Sequence, residues 1–359
     1  MRLLVYDDVH PTTQEPAMIP ETMKAALVRQ FGSDLTVEDR PVPTPGPGEV
    51  LIRVETCGIC HTDLHTVQGA WSPQPALPFV PGHEAVGRVA AKGPEVTYLH
   101  VGDRVAVPWL GWACGRCHYC LTGSDVLCRQ RRHTGYDLDG GFAQYMTANA
   151  AFVVGVPPGI DPLDAACLSC AGVNAYKAVK VAGSASSQLT AVFGVGGVGH
   201  LVIQYARIAG AEVVAVDITG PKITLARELG ASHAVHSGDA DPVKAIQRLG
   251  GADQAVVTAA SPVAVEQALA SLKAGGTLVL VAMPPETALE LPVYDVVRDG
   301  IAVVGSPGGN RADLQETFAL HTHGRTRLVH QARGLHQINQ ALRELEADTV
   351  PAKLVLEFR

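Results

Sequence analysis

Apolar and polar positions change rhythm once along this chain. Between Met23 and about Val107 the apolar residues come in short runs broken by turns. Residues 24–29, 35–38, 49–55, 86–90 and 103–107 read as strands, and the Pro/Gly-rich stretch 41–48 reads as a turn. A compact β-rich domain is the expectation for this half. A helical run then covers 164–181, and strand and helix alternate to about Val304. Residues 189–193, 212–216, 254–258 and 277–281 are short apolar runs of the fully buried kind, separated by amphipathic segments, which predicts a parallel sheet covered by helices. In the last fifty residues the pattern predicts one helix, about 338–345, and one strand, 353–358, returning to the first domain. Residues 1–22 form a polar, proline-containing leader without periodicity, to which no role is assigned.

At 359 residues the chain exceeds what one hydrophobic core usually supports, so two domains are expected. A net charge of -7 offers no basic footprint for nucleic acid or an acidic membrane surface, and a short basic run such as 129–132 is ordinary solvated surface. No apolar run reaches the roughly 20 residues of a membrane helix, and the first residues turn acidic at once, unlike a secretory signal. A cytoplasmic protein is therefore expected, and there eight cysteines point to metal ligands rather than disulfides.

Four of those cysteines crowd together. Cys114, Cys117, Cys120 and Cys128 follow the order C-x2-C-x2-C-x7-C, with Gly115 and Gly123 letting the chain wrap, which suits a closed tetrahedral zinc site of structural role; an iron–sulfur cluster is the lesser alternative. The other four, Cys57, Cys60, Cys167 and Cys170, form two C-x2-C pairs, and spacing alone also permits a second four-thiolate site. Their neighbourhood differs, however. His61, Thr62, Asp63 and His65 follow Cys60, and His83 with Glu84 sits beside Gly82, residue types suited to an open catalytic site and to moving protons. Asp63 is placed to orient a ligating histidine, and Thr62 with His65 to carry a proton to solvent. Residues 189–193 run into Gly194, Gly196, Gly197, Val198 and Gly199 and then a helical stretch, the strand–turn–helix context of a dinucleotide-binding turn. Asp217 ends the next strand, where a carboxylate accepts ribose hydroxyls and repels a 2′-phosphate, so NAD is expected over NADP.

The segments 57–65, 81–84, the four-cysteine lobe, 168–172 and the glycine turn, in this order, resemble the zinc-dependent medium-chain alcohol dehydrogenases, with the yeast-like bacterial branch the most similar. The resemblance covers essentially everything after Met23. It implies a GroES-like catalytic domain (23–171, with a return at 308–359) beside a Rossmann-type doubly wound domain (172–307), two Zn2+ per chain, NAD, a small alcohol or aldehyde as substrate, and a homotetramer. Carried over residue by residue, it implies Cys60, His83 and Cys170 as catalytic zinc ligands and Glu84 as the carboxylate beside the metal. Cys57 and Cys167 then remain as packing residues. His61 and Lys353 match positions that contact the cofactor pyrophosphate, lysine standing where arginine is usual. Lys222 matches a ribose contact, and Trp71 and Trp109 match the aromatic residues that narrow the alcohol pocket, although core packing competes for each tryptophan. Asn174 stands where these enzymes usually have threonine against the nicotinamide. Polyol-type and cinnamyl-type reductases are the alternatives, with Cys170 and Asp217 favouring the simple-alcohol reading. A zinc-ribbon interaction protein would leave the glycine turn unexplained.

Overall fold

The computed structural model describes residues 18–283, 288 and 290–358; residues 1–17 of the polar leader lie outside the described residues. Strand Glu49–Ile59 is the spine of a seven-stranded sheet in the β-rich half. On one edge it pairs with Ala85–Lys92, followed outward by Arg104–Val107 and Val154–Gly155. On the other edge Tyr145–Asn149 pairs with its first half, and Lys353–Glu357 with its second, Leu354 lying opposite Ile59. The last strand thus closes on the first domain, as its apolar pattern predicted. Val50, Leu51, Ile52, Val54, Cys57 and Ile59 are all buried, because this central strand is covered on both faces.

Six parallel strands build the second sheet, in the order His233–His236, Glu212–Asp217, Leu189–Phe193, Ala252–Val257, Leu272–Leu280 and Ala302–Gly305. Strand order reverses direction at Leu189–Phe193, and the crevice beyond the carboxyl end of such a switch point is where ligands bind in doubly wound sheets. The glycine turn leaves the sheet at that point.

Two expectations are corrected. The run 164–181 is not one continuous α-helix. Pro162–Cys167 is α-helical, Leu168–Gly172 widens into a π turn, and Val173–Ala182 resumes the α-helix. A π turn rotates the side chains that follow it by an extra residue, and such turns recur at functional sites; here it carries Cys170. The C-terminal region also holds more than one helix and one strand. Helix Arg311–Thr322 begins at Asn310, whose side chain accepts from the Asp313 amide at 2.9 Å while Asp313 accepts from the Asn310 amide at 3.0 Å. Its Leu314 and Phe318 are buried against Leu168 and Val173. Strand His330–Gly334 is entirely polar apart from Ala332, so no alternation marks it, and its pairing with Lys353–Glu357 alone defines it.

Among the described residues all eight cysteines are free, and no helix is long and apolar enough to cross a membrane.

Candidate active site and a four-cysteine lobe

Cys60 stands at the junction between strand Glu49–Ile59 and helix His61–Gln68. That helix is polar along most of its length, and its start is held by Asp63, whose Oδ2 accepts from the Cys60 amide at 2.9 Å. The other oxygen of Asp63 accepts from His83 Nδ1 at 2.8 Å, which fixes the imidazole tautomer and turns Nε2 towards Cys170 Sγ, 3.3 Å away. His83 and Glu84 lead into strand Ala85–Lys92, the antiparallel neighbour of the strand that ends at Cys60, and Cys170 descends from the π turn. Ligand atoms of Cys60, His83, Glu84 and Cys170 all lie within 4.8 Å of one another. Asp63 is therefore a brace between two of the three residues that sequence comparison grouped.

The electrostatics suit a cation. A hydrogen bond from Cys170, aided by the nearby Lys353 ammonium, holds the Cys60 thiol well below its ordinary range, and the same bond raises Cys170. Burial works against a charged His83, but the Asp63 carboxylate outweighs it and raises the imidazole well above its usual value. Burial lifts the Glu84 carboxyl to about 7 despite the opposing pull of Lys353. Lys353 Nζ donates to Glu84 Oε1 at 2.5 Å and to the Ile59 carbonyl at 3.0 Å, while Glu84 Oε2 is buried without a hydrogen-bond partner among the described residues. Two thiols and one oriented imidazole form a donor set that fits zinc with its fourth position left open, and the unsatisfied Glu84 oxygen stands beside them.

In the lobe, Cys117 and Cys120 sulfurs are 3.5 Å apart and Cys114 and Cys120 sulfurs 3.9 Å, and all four sulfurs, with that of Cys128, fall within 4.8 Å. Gly115 and Gly123 take φ of 68° and 75°, so the chain wraps where the sequence predicted. Backbone amides of Arg116 and Cys117 bring the Cys114 thiol down to about 6. Four converging sulfurs, with no other donor grouped with them among the described residues, fit a closed structural zinc site.

Trp71 and Trp109 belong to one aromatic cluster on the His83 side. Trp109 meets the His83 ring edge-on at 5.0 Å, Trp71 lies 5.5 Å from His65, and Tyr136 sits between the tryptophans at 6.3 and 6.0 Å. His133 stacks on Trp109 at 4.5 Å. Sequence reading overlooked Tyr136 and His133, since the two-residue strand Arg132–His133 and the turn that follows it carry no pattern of their own; only the fold brings Tyr136 Oη to the Pro73 carbonyl at 2.8 Å. Thr62 is half-buried one residue into the helix, His61 is exposed beside it, and His65 Nδ1 is buried with no partner among the described residues. Burial, then the neighbouring His61, lowers the His65 pKa.

On the dinucleotide side, Asp217 Oδ2 accepts from the Val195 amide at 2.7 Å and Oδ1 from the Thr219 amide at 3.0 Å, tying the second strand to the turn made by Gly194, Gly196, Gly197, Val198 and Gly199. Gly199 packs so closely that a Cβ there would stand within 1.8 Å of the Gly194 carbonyl oxygen. The two lysines expected at the cofactor also have carboxylate partners. Lys222 bonds both oxygens of Asp348, at 2.6 and 2.7 Å, and Lys353 is held by Glu84 while its stem passes Gly197. A buried ammonium without a counter-ion is costly, so each takes the carboxylate within reach. Asn174 Nδ2 donates to Cys170 Sγ at 3.5 Å, which links the expected nicotinamide position directly to the metal set.

Comparison with known proteins agrees with this geometry. Residues 46–158 match the alcohol dehydrogenase GroES-like domain and residues 197–322 the zinc-binding dehydrogenase domain. An alcohol dehydrogenase of Geobacillus stearothermophilus is 43% identical over 338 residues, covering 94% of this chain and 99% of the relative. The crystal structure of an alcohol dehydrogenase from Aeropyrum pernix superposes with a TM-score of 0.87 at 33% identity, covering 93% of this chain and 100% of that one. An acetophenone reductase of Geotrichum candidum in complex with NAD superposes with a TM-score of 0.85 at 30% identity, covering 95% and 98%. With its fold, its converging cysteine and histidine donors and its relatives in agreement, this chain belongs to the zinc-dependent medium-chain alcohol dehydrogenase family.

Proposed function

We propose that the enzyme oxidises small primary alcohols reversibly with NAD, in the cytoplasm, using one zinc at Cys60, His83 and Cys170 and a second, structural zinc in the four-cysteine lobe. The observation that carries the reading is the convergence of Cys60, His83 and Cys170 braced by Asp63, on a chain whose second nucleotide-domain strand ends in Asp217. When bound, zinc supplies a Lewis acid that lowers the pKa of an alcohol oxygen, and NAD supplies the hydride acceptor.

The chain's own residues do the rest. Asp63 keeps His83 in the tautomer that presents Nε2, and Lys353 neutralises Glu84 behind the donor set. The Thr62 hydroxyl takes the substrate proton and His65, whose pKa its burial lowers, passes it to solvent. Trp71 and Trp109 leave room for short or flat substrates, with Tyr136 and His133 stiffening both rings. His61, Lys222 and Lys353 line the route of the dinucleotide, and Asn174 stands beside the nicotinamide. Residues 23–171 with 308–359 form the catalytic unit and 172–307 the cofactor unit.

Initial rates with ethanol, benzyl alcohol and a polyol, each with NAD and with NADP, before and after chelation, test this reading. Ethanol and benzyl alcohol should be oxidised with NAD, activity should vanish on chelation, and added zinc should restore it. In Asp217→Gly the NADP-to-NAD ratio of kcat/KM should rise about ten- to a hundredfold, or about 1.4 to 2.7 kcal/mol. A zinc-loaded wild type that turns over neither alcohol sinks the substrate reading. An unchanged ratio in Asp217→Gly sinks the assignment of Asp217.

A homotetramer is part of the same proposal. Supporting it, strand Ala302–Gly305 is an open sheet edge among the described residues, and the adjoining helix Val293–Asp299 exposes Val293, Tyr294 and Val297 to 64%, 75% and 74%. Open edges and contiguous apolar side chains of this kind are normally covered by a partner. Sedimentation velocity at micromolar protein should find four chains per particle, and a monomer there would refute it.

A further inference from the structure

The four-cysteine lobe does more in this fold than close on itself. Two polar groups through which it grips the rest of the chain lie between its third and fourth cysteines. The carboxylate of Asp125, buried three residues before Cys128, receives Arg311 at 2.9 Å, and the Gly123 carbonyl, three residues after Cys120, receives Asn310 Nδ2 at 2.9 Å. Arg311 also donates to the Ala151 carbonyl and lies 4.5 Å over the Phe152 ring, and Phe152 packs in the lobe's own apolar cluster with Cys128. The spacing of Cys120 and Cys128 thus determines where these anchors are presented.

What they anchor is the segment that enters helix Arg311–Thr322 from the nucleotide sheet. Residues 306–310 begin at Ser306, whose buried hydroxyl has no partner among the described residues, and run past Asn174 and Val173. A methyl at Gly308 would stand 2.9 Å from Asn174 Oδ1, and one at Gly309 would strike Val173 and stand 2.9 Å from its carbonyl oxygen. Asn174 in turn contacts Cys170 Sγ. The segment therefore closes one wall of the space beside Cys170, and its far end is fastened where Asn310 and Arg311 meet the lobe and where the helix cap, through Asp313, meets Lys180 at 2.7 Å.

We propose that the four-cysteine lobe is a positioning device for the cofactor face. Through Asp125 and Gly123 it fixes Arg311 and Asn310, and through them it holds residues 306–310 against Asn174 at the spacing that the dinucleotide requires. The inference rests on the reading of Asn174 and Cys170 as neighbours of nicotinamide and metal. Arg311 and Asn310 are positioning residues, distant from the reacting atoms.

Two variants test it on the zinc-loaded full-length enzyme. Arg311→Met keeps an apolar stem over Phe152 and loses the ion pair, and Asn310→Ser keeps a helix-capping hydroxyl too short to reach Gly123. Each should raise the Kd for NADH, read by nicotinamide fluorescence, and the KM for NAD by the same factor of about ten, equal to about 1.4 kcal/mol. Throughout, kcat and the content of two zincs per chain should hold. Hydrogen exchange should quicken at residues 306–313 while the β-rich core stays protected, and Arg311→Lys should recover part of the affinity. If one variant fails to fold, the other carries the test. Wild-type Kd in the folded variants, with or without a lower melting temperature, overturns the proposal. Failure of wild type itself to bind NADH overturns the cofactor reading first and this inference with it.

Discussion

Cys60→Ala should lower kcat/KM for ethanol by about a thousandfold or more, since metal coordination contributes several kcal/mol of charge stabilisation that the remaining donors cannot supply. The effect is local in origin. Of the two thiols in the set, that of Cys60 is the one its surroundings favour as thiolate, through the Cys170 hydrogen bond and the Lys353 ammonium. Without it, His83, Glu84 and Cys170 keep one sulfur, one nitrogen and one carboxylate oxygen between them, a poorer zinc site. Metal analysis should then fall from two zincs per chain to one, the lobe keeping its own because its four sulfurs are unaltered. Asp63→Asn is the graded companion. Its amide can still accept from one partner but loses the charge that braces both the Cys60 amide and His83 Nδ1, so zinc affinity should fall about ten- to a hundredfold. Wild-type turnover with two zincs retained in Cys60→Ala would remove Cys60 from the ligand set.

Gly199→Ala should strike the other half of the enzyme and spare the first. The added methyl would stand 1.8 Å from the Gly194 oxygen and 2.9 Å from Thr258 Oγ1, whose hydroxyl donates to that same oxygen at 2.9 Å. Both are fixed, one by the backbone and the other by its hydrogen bond, so the turn must open or helix Gly199–Ile208 must leave the sheet. Overpacking of this kind costs about 1–3 kcal/mol. Because the strain falls on the amides that would face a pyrophosphate, the Kd for NADH should rise by up to about a hundredfold, about 2.7 kcal/mol. Zinc content should stay at two per chain, which separates this lesion from that of Cys60→Ala. Unchanged NADH binding in a folded Gly199→Ala would mean that the turn is not the cofactor cradle.

The elements that were legible beforehand are those whose burial is either continuous over a short run or periodic. Leu189–Phe193 and Glu212–Asp217 are apolar because helices cover both faces of their sheet, and the pattern of 338–345 returns as helix Ile338–Glu346, with Ile338, Ala341, Leu342 and Leu345 buried. Helix His61–Gln68 was not legible, since its sequence is largely polar and its start depends on Asp63 reaching the Cys60 amide. The π turn at Leu168–Gly172 escaped for a related reason. Its residues are all buried, so nothing in their polarity distinguishes a five-residue turn from an ordinary one.

The sequence by itself determined the inventory: a β-rich unit and a parallel nucleotide unit, a four-cysteine lobe closed within fifteen positions, and a glycine turn between strand and helix. These are local facts, set by spacing and by the two periods of side-chain burial. Tertiary structure decided which donors meet. His83 and Cys170 are separated by 87 positions, and only the pairing of two antiparallel strands with a π turn brings them to 3.3 Å. It also decided the partners of the buried charges, binding Lys353 to Glu84 and Lys222 to Asp348, because an ammonium leaving water takes whatever carboxylate the fold places beside it.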